Sequence, residues 1–180
     1  MRTTFHPAYI VPLLVGLLSA CASSQTSLLI ADSYDAEKNQ TVLMVMPYGN
    51  IELPGKWTKT SYNEVSRQHF FTDGDSTTVA VAKQPREKYP FYSSAQNDAE
   101  FVRAFHTWDA DHWSAQGMTT TLLEDRAADG YIVWQVTGEG VNTIFLFGSK
   151  SAYAYNFSVS STKWSDAEAQ RFLAELYGSN

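Results

Sequence analysis

Two segments that are predicted to be strands are apolar on both faces, and this property constrains the fold more than any other. In residues 141–147, phenylalanines alternate with Ile144 and Leu146, and in residues 77–83 valines alternate with alanines. A strand with two apolar faces has to be covered on both sides. We therefore expect a sheet that lies between two covering layers.

Two amphipathic helices can supply these layers. A long helix is expected from about Asn97 to Gln116, with Asn97 or Asp98 as N-cap and Gly117 at the C-terminal end. A second helix begins at the capping box Ser165-Asp166-Ala167-Glu168. The expected apolar stripes are Phe101, Phe105, Trp108, His112 and Ala115 in the first helix and Ala169, Phe172, Leu173, Leu176 and Tyr177 in the second. Helices on both faces of a sheet indicate a single α+β domain with α/β/α layers.

The other strands are predicted from alternating residues between turn clusters. They cover residues 41–46, 51–53, 65–72, 118–124, 131–137 and 152–160. Short turns such as Asp73-Gly74-Asp75 connect neighbouring strands. The sheet is therefore expected to be mostly antiparallel, with a long crossing helix and a C-terminal helix.

Residues 1–20 have the layout of an export signal peptide. Arg2 is the positive charge of the head, an uncharged apolar segment follows, and Ser19 and Ala20 are the small residues before the cut. The apolar segment is shorter than the roughly 20 residues that a membrane-spanning helix needs. Cys21, the only cysteine, follows Leu17-Leu18-Ser19-Ala20 directly. This pattern predicts a bacterial lipoprotein that carries a diacylglyceryl group and palmitate on Cys21; the alternative is an ordinary secretory signal with an accidental cysteine.

The chain is thus divided into a signal peptide (1–20), an acylated N-terminus and tether (21–40) and a folded domain (41–180). The alternative for Leu28-Leu29-Ile30 is a first edge strand. Ala22, rather than aspartate, follows Cys21, which favours an outer-membrane location on the periplasmic face. The net charge of −6 argues against nucleic-acid binding and against attraction to anionic lipid headgroups. The membrane is therefore expected to be contacted through the lipid alone.

The order of elements resembles the PsbP-like superfamily, which includes photosystem extrinsic proteins and small bacterial envelope lipoproteins. The resemblance covers about Val42 to Tyr177. It rests on Leu53-Pro54-Gly55-Lys56-Trp57, the following hairpin, the crossing helix, the strand that ends in Tyr155-Asn156-Phe157-Ser158-Val159 and the helix from Ser165 to Tyr177. It implies an α/β/α fold and a non-enzymatic role in binding or stabilising protein assemblies. It supplies no catalytic residue, and the metal-binding histidines of some members match no position here.

One cluster has residue types that could carry chemistry. On the first helix Asp109 lies three residues from both His106 and His112, so a carboxylate between two imidazoles could hold zinc or orient a general base. The two histidines are six residues apart and project in different directions, so a hydrogen-bonded core histidine is the competing interpretation. A metal-dependent hydrolase built on these three residues is the weakest of three hypotheses for the function. No cofactor is expected.

The other two hypotheses are a binding or assembly-accessory protein and a carrier or sensor of a small hydrophobic ligand. The accessory role follows from the lipoprotein signal and the single compact domain, with another envelope protein as the partner. The carrier role follows from aromatic residues that could line a cleft, although such residues are more often core. They are Tyr131, Trp134, Tyr153, Tyr155 and Trp164.

Overall fold

The computed structural model describes residues 29–180, so the expected signal peptide, Cys21 and the first part of the expected tether lie outside the described residues. The described residues form ten strands and two α-helices. The strands are β1 (Leu29–Asp35), β2 (Gln40–Met46), β3 (Gly49–Pro54), β4 (Thr58–Tyr62), β5 (His69–Thr72), β6 (Thr77–Pro85), β7 (Thr119–Arg126), β8 (Tyr131–Gly138), β9 (Val141–Lys150) and β10 (Tyr153–Ser161). The helices are α1 (Asp98–Ala115) and α2 (Asp166–Ser179).

The strands form two antiparallel sheets. The larger sheet has the order β4-β5-β6-β10-β9-β8-β7, and the smaller has the order β1-β2-β3. Helix α1 packs on one face of the larger sheet, against β8 and β9, whereas α2 and the smaller sheet cover the other face. The predicted α+β class, with helices on both faces of a mostly antiparallel sheet, is confirmed. The smaller sheet, which shares a layer with α2, was not predicted.

Stacked aromatic rings fill the space between α1 and the sheet. Phe105 of α1 lies on Phe147 of β9 with 3.8 Å between ring centroids and only 6° between planes. Trp134 of β8 stacks on Phe145 at 4.9 Å. Because Phe105, Trp134 and Phe147 are at most 1% exposed, this contact removes a large apolar area from water.

The end of α2 approaches the sheet closely at Gly148. A Cβ atom on Gly148 would lie 2.3 Å from a ring carbon of Tyr177, so only glycine leaves room for this ring. The Tyr177 hydroxyl donates to the carbonyl oxygens of Gly130 and Ser149, both at 3.0 Å. These bonds fix the C-terminal helix to two strand ends.

Both helix starts follow the sequence prediction. The Asn97 side chain accepts from the backbone N–H of Glu100 at 2.9 Å, and the Glu100 carboxylate accepts from the Asn97 N–H at 3.0 Å. Ser165 and Glu168 form the same reciprocal pair at α2. Each capping box satisfies N–H groups that the first helical turn leaves free.

The tether prediction is corrected for the residues from Leu29 onward. Leu29–Asp35 form β1, which pairs with β2 along its whole length, from Leu29 opposite Met46 to Asp35 opposite Gln40. The alternative, a first edge strand, is confirmed for Leu29 and Ile30. Ile30 packs against the core, and this burial explains why a largely polar segment joins the fold.

The strand predicted over 65–72 is wrong in its first half, and β4 was missed. Val65 is 94% exposed, and the strand begins only at His69. The Asn63 side chain accepts from the N–H groups of Val65 and Ser66 at 2.8 and 3.1 Å, which closes a turn before the strand. The strand β4 gave no apolar signal because its sequence, TKTSY, is polar at an edge of the sheet.

The apolar stripe of α1 is wrong beyond Phe105. Trp108 is 45% exposed, and His112 and Ala115 are exposed, whereas Ala110 is buried. The buried residues of α1 are Phe101, Val102, Phe105 and Ala110, so the fully buried face does not extend to the last turn of the helix.

Candidate functional site

The structure does not bring His106, Asp109 and His112 together. His106 is half-buried, and its ring lies 5.3 Å from the Trp134 ring at 80°, so it faces the sheet. His112 is exposed and lies beside Trp113. Within residues 29–180, no three His, Cys, Asp or Glu side chains are grouped so that they could hold a metal ion. The geometry therefore gives no support to a metal or catalytic role for this cluster.

Asp109 is the member of the cluster whose carboxyl pKa is raised by its surroundings. Burial raises the pKa of its carboxyl to about 6, against smaller opposing effects of a hydrogen bond with the Trp113 side chain and the charge of His112. At neutral pH this carboxylate is ionised in surroundings that disfavour its charge. Such a group lowers the stability of the fold and does not by itself indicate catalysis.

We expect Asp109→Asn to stabilise the protein at pH 7.5 by about 2 kcal/mol and to have little effect at pH 4.5. The pKa of Asp109 is higher in the folded state than the ordinary value of about 3.9, so the folded state binds its proton more tightly. This tighter proton binding stabilises the folded state fully below about pH 4, and the stabilisation is lost as the pH rises through about 6. Urea unfolding at both pH values measures the difference.

The exposed neighbour Asp111 provides the control for this experiment. Asp111→Asn should change the free energy of unfolding by less than about 0.5 kcal/mol at either pH. A loss of stability in Asp109→Asn at pH 7.5 would contradict the account, because it would mean that the carboxylate makes favourable contacts that outweigh its burial.

The aromatic residues that were proposed to line a ligand cleft do not share one. Trp134 is fully buried in the core between α1 and the sheet, whereas Tyr155 is 2% exposed in the core on the opposite face. Tyr131 and Tyr153 are half-buried against that second core. Since the sheet separates the two groups, they cannot contact one ligand together.

A different feature, an open groove beside α2, is the best candidate for a functional site. It is a shallow, open depression of about 270 Å³, lined by Trp164, Glu168, Arg171, Phe172 and Glu175. Trp164 lies in the segment between β10 and α2, and Phe172 lies on α2, one turn after Glu168. The Trp164 and Phe172 rings are half-buried and 5.2 Å apart.

The aromatic floor of this groove is held from below by Trp57. The Trp57 ring is 9% exposed and lies 6.3 Å from Trp164 and 5.8 Å from Phe172. Its own position is fixed, since its indole N–H donates to the Pro54 carbonyl at 2.7 Å and its backbone N–H donates to Thr41 Oγ1 at 2.9 Å. The turn Pro54-Gly55-Lys56-Trp57 therefore positions the base of the site.

The rim of the groove contains one cation between two carboxylates. Glu168 accepts from the Ser165 N–H and hydroxyl at 2.7 Å, and this bonding lowers the pKa of its carboxyl. Arg171 is exposed and forms no ion pair with any residue in the range 29–180. The charge of Arg171 also contributes to lowering the pKa of Glu168. The groove thus combines an apolar aromatic floor with an exposed guanidinium that can donate to an acceptor.

The residue types in this groove are typical of binding surfaces. Tryptophan and arginine are the residue types that contribute most to protein–protein binding energy, and a rigid aromatic floor reduces the entropy lost on association. The sequence prediction assigned Phe172 to the core and Trp164 to a ligand cleft, and it did not single out Arg171. The available signal was the position of Phe172 at the edge of its stripe, next to Arg171 on the polar face.

Comparisons with known protein families and curated sequences found no match for this chain. The resemblance to the PsbP-like superfamily therefore stays a prediction. Neither helix in the described part of the chain is both long enough and apolar enough to span a membrane.

Proposed function

We propose that this chain is a lipid-anchored bacterial envelope protein whose domain binds another envelope protein without acting on it chemically. In this proposal Cys21 carries the acyl chains, and the domain stands on the periplasmic face, most simply at the outer membrane. The partner supplies a polypeptide segment with an apolar side chain next to a carboxylate. The groove formed by Trp164, Phe172 and Arg171 is the observation that carries the binding role.

The chemistry of the groove supports a peptide ligand of this kind. Half-buried rings at 5.2 Å leave an apolar surface that one partner side chain can cover, and Arg171 stands beside it without an internal ion pair. A partner carboxylate would gain a charge-assisted, two-pronged hydrogen bond from the guanidinium. Glu168 and Glu175 on either side disfavour a second acidic group, which limits the sequences that fit.

The sequence around Cys21 supports the anchoring part of the proposal. A lipid anchor confines the domain to a surface, so that a modest affinity for a partner on the same surface becomes effective through high local concentration. A carrier of small hydrophobic ligands is less favoured, because Trp134 lies in the opposite core from the other four aromatic residues and, of the five, only Trp164 lines the groove. The metal-dependent hydrolase is not favoured either, because His106 and His112 do not converge.

Photo-crosslinking in intact cells tests the binding role. A photoreactive amino acid at position 175, on the groove rim, should give a discrete crosslinked species. The same residue at position 139, an exposed site in the β8–β9 turn, serves as the matched control and should give none.

Charge reversal then tests whether the groove itself makes the contact. Arg171→Glu should remove the species crosslinked from position 175, whereas Arg103→Glu, on the exposed side of α1, should leave it unchanged. Equal yields from positions 175 and 139, or an adduct that survives Arg171→Glu, would contradict the proposal.

A further inference from the structure

The outer face of the smaller sheet has an exposed apolar group at the end where the described chain begins. Leu29 is 62% exposed, Met46 is 44% exposed and Met44 is 37% exposed. Leu29 pairs directly with Met46, and Ala31 pairs with Met44, so the four side chains are on one face. The opposite face of β2, with Leu43 and Val45, is buried in the core. We call the group of Leu29, Ala31, Met44 and Met46 the β1–β2 corner.

A pair of lysines lies near this corner, at the β2–β3 turn and on the face of the smaller sheet opposite the exposed methionines. The turn between β2 and β3 begins after Met46, and there Lys83 Nζ approaches the Asn50 carbonyl oxygen at 3.5 Å. A Cβ atom on Gly49 would lie 3.3 Å from the same ammonium. Lys83 and Lys150 lie 5.5 Å from the centroid of the same Tyr155 ring, so the two positive charges flank one tyrosine.

Neither lysine has a carboxylate partner. Within residues 29–180 no ion pair involves Lys83 or Lys150, and residues 1–28 contain no aspartate or glutamate. Burial lowers the pKa of Lys83, and the charge of Lys150 adds to this effect; burial also lowers the pKa of Lys150. Lys150 also donates to the Tyr177 carbonyl oxygen at 2.9 Å, near the end of α2. Within residues 29–180 the two ammonium groups thus contact backbone carbonyl oxygens but form no ion pair with a carboxylate. An external anion would relieve their repulsion.

The short distance along the chain to Cys21 favours a lipid bilayer as the surface that covers the β1–β2 corner. Leu29 follows Cys21 by eight positions, so an acylated Cys21 is at most about 29 Å from Leu29, even with a fully extended chain. An anchor of this length keeps the β1–β2 corner within about 29 Å of the acylated residue, close enough to reach the lipid headgroups. Apolar side chains with adjacent lysines are the combination that binds an interface with anionic lipids.

We propose that the β1–β2 corner rests on the bilayer, with Leu29, Met44 and Met46 among the headgroups and Lys83 and Lys150 against lipid phosphates. This inference rests on the proposed lipid anchor and adds an orientation to it. It differs from the expectation, drawn from the net charge, that the membrane is contacted through the lipid alone.

Fluorescent labelling of the acylated protein tests the orientation. The thiol of Cys21 is blocked by its thioether, so an introduced cysteine is the only free thiol. Met46→Cys and Leu122→Cys are labelled with an environment-sensitive NBD dye, and each protein is placed in vesicles of phosphatidylethanolamine and phosphatidylglycerol. Leu122, on the edge strand β7, is 51% exposed and is the matched control. We expect a blue shift and a severalfold gain in emission at position 46 and neither change at position 122.

The lysines are tested by changing the charge of the protein and of the lipid. Lys83→Gln should lower the ratio of docked to undocked protein about fivefold in these vesicles, while Lys83→Arg should preserve it. Replacing phosphatidylglycerol with phosphatidylcholine should reduce the difference between wild type and Lys83→Gln. The melting temperatures of the variants establish that the fold is retained.

The outcomes separate this inference from the anchor on which it rests. If the protein floats with vesicles but the label at position 46 stays as aqueous as the label at position 122, the orientation is wrong and the anchor stands. If wild-type protein fails to float at all, both the anchor and the orientation are contradicted. An unchanged docked ratio in Lys83→Gln would overturn the role of the lysines.

Discussion

Phe105→Ala should lower the free energy of unfolding by about 3–5 kcal/mol, the largest loss we expect from a single truncation in α1. Phe105 is 1% exposed and stacks on Phe147 with 3.8 Å between centroids. Its ring also contacts Tyr89 at 4.6 Å. Alanine would remove these contacts and leave a cavity that the rigid sheet cannot close. Urea or thermal unfolding, monitored by circular dichroism, measures the loss.

Trp108→Ala is the control that distinguishes the structure from the sequence pattern. The apolar stripe predicted that Phe105 and Trp108 would be equally buried, but Trp108 is 45% exposed. We expect a loss of about 1 kcal/mol for Trp108→Ala, because nearly half of the side chain stays in water and its nearest ring, Phe91 at 5.5 Å, is itself partly exposed, whereas the buried Tyr89 and Phe105 rings are 6.5 Å away. Similar losses in the two variants would show that α1 is rotated from the orientation described here.

Gly148→Ala should lower the free energy of unfolding by about 3 kcal/mol, a large cost for a single added methyl group. The new Cβ would stand 2.3 Å from the Tyr177 ring, which must then move away. That movement would break the two 3.0 Å hydrogen bonds from the Tyr177 hydroxyl to the Gly130 and Ser149 carbonyls. Because these two hydrogen bonds are buried, losing them adds to the steric cost.

A double-mutant cycle tests this explanation. Tyr177→Ala removes the ring that Gly148→Ala would displace, so the second substitution should cost much less in that background, with a coupling energy of about 1–3 kcal/mol. Gly178→Ala, at an exposed position where a Cβ meets nothing within 4 Å, is the control and should be nearly neutral or slightly stabilising. Fully additive losses would mean that Tyr177 is not what excludes a side chain from position 148.

The sequence predicted the fold best where local signals and burial agree. The capping box at Ser165 and the two-faced strand at 141–147 required no knowledge of the tertiary structure, and both are confirmed. The failures occurred where tertiary contacts decide. β4 is held by pairing with β5 and not by apolar residues of its own, and the segment around Ile30 joins the fold through β2. In α1, packing against the sheet buries Ala110 and leaves Trp108 partly exposed, which periodicity alone did not show.

The candidate site was less predictable than the fold, for a physical reason. The groove depends on three residues that are far apart in sequence, since Trp57, Trp164 and Phe172 meet only after the sheet forms. Likewise, Lys83 and Lys150 lie on different strands and share a tyrosine ring only through the pairing of β6, β10 and β9. Periodicity within one segment carries no information about such contacts.

The modification of Cys21 is the central claim, and intact-mass analysis of the mature protein from its bacterial membrane tests it most directly. We expect a chain that begins at Cys21, carries diacylglyceryl and an N-linked acyl group, and incorporates labelled palmitate. Cys21→Ser should lose the label and remain unprocessed or leave the membrane fraction. A mature chain without lipid, or a Cys21→Ser variant with unchanged processing and fractionation, would contradict the account.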